Sequence, residues 1–251
     1  MSQTKRQALA FAIVGLWLAT IGYIFAGEST FESGETQTSL IELFTSEGCS
    51  SCPPAEKWLS ALKSSPDLWK KTVPVAFHVD YWNHLGWRDR FSKPEFTSRQ
   101  QRYAAEWGGD SVYTPGFVVN GKEWRDWFSG NALPASLKKI GTLHVTFSDD
   151  GKVGATFVAE STQPQALALN VALLGNDLES DVKRGENTGR KLRHDFVVLN
   201  LIKIDMTKEA NRWTGSVALP KQSGNDKPSA LAAWITEDAT LIQATGGWLR
   251  P

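Results

Sequence analysis

The chain has 251 residues, 41% hydrophobic and 22% charged, which excludes a disordered polymer and suffices for one large domain or two ordinary ones. Its 27 basic residues balance 27 acidic ones, so charge gives no reason to expect nucleic acid as a partner. With two cysteines in the whole chain, thiol chemistry is confined to one place.

Lys5-Arg6 precede the stretch 8–26, whose polar side chains are Thr20 and the Tyr23 hydroxyl. A basic start followed by an apolar run of this length predicts an N-terminal apolar helix over 1–27, a signal anchor or signal peptide. Ile24 is a poor residue for a small-x-small cleavage site ending at Ala26, which favours an uncleaved anchor. The expected location is therefore periplasmic or otherwise extracytoplasmic, with the chain tethered to the inner membrane. Residues 28–38, rich in Glu, Ser, Thr and Gly, read as a linker.

Domain 39–141 opens on the apolar run Leu40-Ile41-Glu42-Leu43-Phe44, a strand, and then Glu47-Gly48-Cys49-Ser50-Ser51-Cys52-Pro53-Pro54. Residues 55–63 carry Trp58, Leu59 and Leu62 at helical spacing, and 73–79 is a buried β-branched run, completing a βαβ unit with a parallel sheet. Two cysteines one helical turn apart meet the Cα separation of roughly 4.4–6.8 Å that a disulfide requires. At a helix N-terminus a thiolate is stabilised, so Cys49 reads as the nucleophile and Cys52 as the resolving thiol. Proline disfavours helical geometry in the residue before it, so Pro53 predicts a helix that starts only after Cys52.

Residues 80–107 form an aromatic and charged insertion, with a helix expected over 94–107. It reads either as a substrate-contacting segment, with Trp82 a candidate contact, or as a second hydrophobic cluster covering the sheet. Thr114-Pro115 precedes a short strand, Asn120-Gly121 predicts a hairpin, and Leu133, Leu137 and Ile140 predict a closing helix over 131–140.

Phe44, Cys49-x-x-Cys52, Thr114-Pro115 and Asn120-Gly121, in this order, resemble the thioredoxin fold. The resemblance implies a cis bond before Pro115 and a substrate chain paired with the backbone of Thr114. The fuller strings Ile41 to Glu56, His78-Val79-Asp80-Tyr81-Trp82, Tyr113-Thr114-Pro115 and Arg184-Gly185-Glu186-Asn187 through His194 resemble an exported bacterial family. That family is described only as thioredoxin-like with a domain of unknown function, and it brings no established reaction. Leu43 stands where thioredoxins carry a buried aspartate. Another proton acceptor is needed, and Glu42, Glu47 and His78 are the candidates.

From Leu143 onward short β-type runs and turn residues predict an all-β, sandwich-like domain over 142–251. The basic loop 183–194 either reaches the cysteine site or an acidic partner, or is a solvated hairpin. The four histidines, His78, His84, His144 and His194, lie scattered along the chain.

The expected fold is thus an α/β thioredoxin-like domain followed by an all-β domain. The expected function is thiol–disulfide exchange with protein thiols, disulfides or a redox partner, without a cofactor. Two alternatives stand beside it. One is copper binding by Cys49, Cys52 and a histidine such as His78. The other is a non-catalytic binding protein braced by a structural disulfide.

Overall fold

β-Branched and apolar runs dominate the residues described by the computed structural model, 28–130, 132–160, 166–220 and 226–250. The first half contains β1 (Glu28–Glu32), β2 (Ser39–Thr45), helix α1 (Pro53–Ala61), β3 (Thr72–His78), helix α2 (Pro94–Glu106), β4 (Gly116–Val119) and β5 (Lys122–Glu123). Then follow β6 (Gly141–Ser148), β7 (Lys152–Ala159), β8 (Ala168–Gly175), β9 (Leu178–Asp181), β10 (Lys191–His194) and β11 (Val197–Asp205). The chain finishes with β12 (Thr207–Glu209), β13 (Arg212–Ala218), β14 (Ala230–Glu237) and β15 (Thr240–Trp248).

These strands form an eight-stranded sheet ordered β15-β14-β8-β11-β3-β2-β4-β5, a five-stranded sheet ordered β1-β6-β7-β13-β12, and the hairpin β9-β10. The expected fold class is corrected here. Strand outweighs helix, 45% to 15%, with three sheets and two α-helices among the described residues, so this is not an α/β thioredoxin-like domain followed by a separate β domain. The physical reason is one seam. Ala76 of β3 pairs in parallel with Val197 of β11, and its N–H donates to Phe196 O at 2.8 Å. Strands from both halves of the chain therefore share a single sheet.

Burial follows from that sheet. Leu169, Val171 and Leu173 of β8 pack with Leu231, Ala233 and Ile235 of β14 against Val145, Phe157 and Trp213 of the five-stranded sheet. The alternate residues Ala172, Leu174, Ala232 and Trp234 join the core around β2 and β3. With both faces covered, β2 is buried along its whole length and shows no polar alternation.

Three local expectations also change. Residues 28–32, inside the stretch read as a linker, form β1 and pair antiparallel with β6. Residues 132–138 have no regular structure where a closing helix was expected; Asn131 lies outside the described residues. No helix among the described residues is long and apolar enough to cross a membrane, so the expected membrane anchor, and the location built on it, find no support. The segment 1–27 that carried that expectation lies outside the described residues.

Candidate functional site

Alternation along β2 decides what faces the cysteines. Thr45 projects to the α1 side, where its hydroxyl donates to Glu56 Oε1 at 2.6 Å. Glu42 and Phe44 project to the α2 side. There Phe44 packs on Tyr103, while Arg99 Nε donates to Glu42 Oε2 at 2.5 Å and the Tyr103 hydroxyl to Glu42 Oε1 at 2.6 Å. Glu42, a candidate proton acceptor, is thus occupied across the sheet from α1.

Cys49 and Cys52 form a disulfide with a Cα separation of 5.5 Å. Both are fully buried, whereas Ser50 and Ser51 between them are exposed. The Cys52 carbonyl accepts the N–H groups of Ala55 at 2.9 Å and Glu56 at 3.1 Å. Pro53 and Pro54 occupy the first two helical positions and carry no N–H. The first turn of α1 therefore directs no free donor at Cys49, and the helix N-terminus gives its thiolate little stabilisation.

Three other segments close around this loop. Trp82 of the insertion donates its indole N–H to Thr114 Oγ1 at 2.8 Å, and its Cβ lies 2.9 Å from where a Cβ on Gly48 would stand. Only glycine at 48 lets the cysteine loop pass beneath Trp82. The Thr114–Pro115 bond is cis, as the resemblance implied. Beside it Tyr113, Thr114, Pro115, Trp124, Trp127 and Phe128 line a groove of about 500 Å³. From the β9–β10 hairpin, the buried Asn187 donates to Glu47 O at 2.9 Å and Cys49 O at 3.0 Å. Glu186 accepts both the N–H of Ser50 at 3.0 Å and its hydroxyl at 2.7 Å. Of the two readings of the basic loop, the one that reaches the cysteine site is realised.

Under the loop lies a buried set of titratable groups. Glu56 stands one helical turn beyond Cys52 and accepts from His194 Nδ1 at 2.6 Å. His78, at the end of β3, holds Asp89 Oδ2 through Nδ1 at 2.7 Å, and the two imidazole rings are 5.1 Å apart, edge to face. Glu47 takes the Trp87 indole N–H on Oε2 at 2.6 Å, while its Oε1 lies 3.4 Å from His194 Nε2, within ion-pair range but without hydrogen-bond geometry.

Burial opposes a charge on His194, but Glu56 and Glu47 outweigh it and raise its pKa to about 10. Burial would likewise raise Glu56, yet His194 and then His78 bring it below the ordinary carboxylate value. Asp89 is lowered against the same burial cost by His78 and by N–H donors from Glu47 and Phe91. Of the remaining candidates, Glu47 and His78 both belong to this cluster. Glu56, Asp89, Asn187 and His194 are the residues that the sequence reading missed. The signal for Glu56 was present, since a carboxylate four positions after Cys52 falls on the helix face that must be buried.

The copper alternative fares differently. In the disulfide the Cys49 and Cys52 sulfurs are bonded to each other, and the residues that gather ligand atoms are Glu56, His78 and His194. His84 is exposed, bonded to Tyr81 O, and His144 sits on β6 beside Glu32.

Residues 40–236 match the family described as "Protein of unknown function (DUF1223)", and the chain belongs to that family. A crystal structure of a protein from Agrobacterium tumefaciens is similar with a TM-score of 0.57 and 23% identity, covering 86% of this chain and 95% of that one. HBP35 of Porphyromonas gingivalis is similar with a TM-score of 0.57 and 17% identity, covering 86% of this chain and 76% of its own. At these identities the likeness is one of fold. No curated protein matches the chain.

Proposed function

We propose that this DUF1223 chain is a thiol–disulfide oxidoreductase that exchanges electrons with protein thiols or disulfides through Cys49 and Cys52. The observation that carries the reading is a disulfide across a three-residue separation at the start of α1, in a loop packed under Trp82, which bonds Thr114 at the edge of the aromatic groove. A substrate thiolate attacks the Cys49 sulfur, the Cys49–Cys52 bond breaks, and Cys52 leaves as a thiolate that takes up the substrate's proton. A second substrate thiolate then attacks its own partner sulfur in the mixed disulfide and releases Cys49. The substrate pair loses two electrons, and the cysteine pair gains them. Run in reverse, Cys49 attacks a substrate disulfide and Cys52 resolves the adduct.

The aromatic groove beside Thr114–Pro115 suits an extended peptide segment with apolar side chains, with Thr114 offering backbone groups. Cys49→Ser should abolish exchange with a peptide disulfide, and Cys52→Ser should trap a mixed disulfide on Cys49 detectable by mass spectrometry. Exchange that survives Cys49→Ser sinks the assignment.

One observation favours a second reading, in which the disulfide only braces the loop. Both cysteines are fully buried beneath Glu186 and Asn187. A reduction potential below roughly −300 mV would support bracing over exchange.

A further inference from the structure

The cluster beneath the disulfide offers more ligand atoms than its hydrogen bonds use. Glu56, His78 and His194, all buried, each place a ligand atom within 4.8 Å of the other two. Independently, His78 Nε2, His194 Nε2 and Glu47 Oε1 are buried with no hydrogen-bond partner. A buried polar atom left unpaired costs about 1–3 kcal/mol; His78 Nε2 is such an atom, and His194 Nε2 faces Glu47 Oε1 at 3.4 Å without making a hydrogen bond. We propose that Glu56, His78 and His194 form a binding site for one transition-metal dication of the zinc class, with Glu47 at its edge.

His78, Glu56 and Glu47 are oriented from behind, as metal ligands are, while His194 is held through Nδ1 by Glu56 and keeps Nε2 free. Asp89 holds His78 through Nδ1, which leaves the buried Nε2 free to act as a ligand. The Thr45 hydroxyl fixes one oxygen of Glu56, and the Trp87 indole fixes one oxygen of Glu47. Two imidazoles with carboxylate oxygen suit Zn²⁺ or a neighbouring borderline dication, and thiolates are not required. Three carboxyl groups, those of Glu47, Glu56 and Asp89, surround the two imidazoles, a set whose chemistry favours a cation.

This inference does not rest on the redox reading, because the disulfide stays intact throughout. The full chain, unfolded and refolded in the presence of Zn²⁺ and then desalted, should retain one equivalent by mass spectrometry of the metal. Co²⁺ in its place should give visible d–d bands, which report the ligand field whatever the enzyme activity. Asp89→Asn keeps all the proposed ligands and should weaken Zn²⁺ binding by about 10–100-fold. His78→Gln and His194→Gln should each weaken it at least as much. The double variant Cys49→Ser, Cys52→Ser should bind like the wild type, even if exchange fails for every substrate. Wild-type protein that retains no Zn²⁺ and shows no Co²⁺ bands overturns the site. So does metal that depends on the cysteines and not on the histidines.

Discussion

Glu56 follows Cys52 by one helical turn and closes its carboxylate on His194, 138 positions further along the chain. This pair links α1 to the β9–β10 hairpin beneath the disulfide. Both partners are buried, and Glu47, 3.4 Å from His194 on its other side without hydrogen-bond geometry, compensates only part of the charge that removing Glu56 exposes. Glu56→Gln, measured in buffer containing a chelator, should lower the unfolding free energy by about 3–5 kcal/mol. The urea midpoint should fall with an unchanged slope. A midpoint equal to the wild type would show that His194 is neutral in the fold.

How much of this was legible follows from distance along the chain. The elements of the first half rest on local signals: Pro53-Pro54 opening α1, Pro94 opening α2, and Asn120-Gly121 turning β4 into β5 with both residues at positive φ. The single sheet was not legible. It depends on Ala76 meeting Val197, and β11 carries the same apolar run whether it pairs with β3 or with a separate sandwich. β10 and β11 are separated at Asp195-Phe196, with Phe196 at φ 57, and that break delivers the pairing. Leu133, Leu137 and Ile140 had helical spacing but share no face: Leu133 packs on the core around β2 and β3, Ile140 on the core between the two large sheets, and Leu137 is 91% exposed. In the site, Cys49, Cys52 and Pro115 announce themselves by spacing and residue type. Asn187 and Asp89 do not, because their roles exist only once distant loops meet.

Glu42 tests the separation of the two sheet faces. Burial opposes the Arg99 charge, but Glu42 outweighs it and holds the guanidinium above its ordinary pKa. Glu42→Gln should destabilise the fold by about 3–5 kcal/mol, since Arg99 remains charged and largely covered, its side chain 11% exposed. The rate of peptide-disulfide exchange and the reduction potential of Cys49–Cys52 should stay at wild-type values. A shifted potential would restore Glu42 as a proton acceptor for the cysteines.

Lys63 sets an acid limit on the attachment of the first 3-10 turn after α1. Its ammonium donates to Asp177 at 2.7 Å and Asp195 at 2.8 Å, joining that turn to the β8–β9 and β10–β11 corners. Burial raises the Asp195 pKa, but the Lys63 bond and the Asp177 N–H bring it below the ordinary value. A carboxylate lowered in the fold contributes stability that is present above its unfolded value, near 3.9, and lost as pH falls through the folded one. Denaturant midpoints should therefore decline on acidification below about pH 4, and Asp195→Asn should flatten that decline. A parallel decline in the variant would assign the acid sensitivity elsewhere.

Glu186 controls access to the disulfide if the redox reading holds. Its carboxylate is lowered by the two hydrogen bonds from Ser50, and it lies at the surface over sulfurs that have no exposed area. Asn187 beside it satisfies the carbonyls of Glu47 and Cys49 from within. The two contacts differ in kind. Losing the outer one returns Ser50 to water at little cost, whereas losing the inner one strands the Glu47 carbonyl, the Cys49 carbonyl keeping the Cys52 N–H at 3.2 Å, and should cost about 1–3 kcal/mol. Glu186→Gln should accordingly speed reduction of Cys49–Cys52 by dithiothreitol and leave the unfolding midpoint unchanged, while Asn187→Ala should lower the midpoint as well. Equal reduction rates in wild type and both variants would mean that thiols reach the sulfurs by another path, for example from the Thr114–Pro115 side, where the aromatic groove lies.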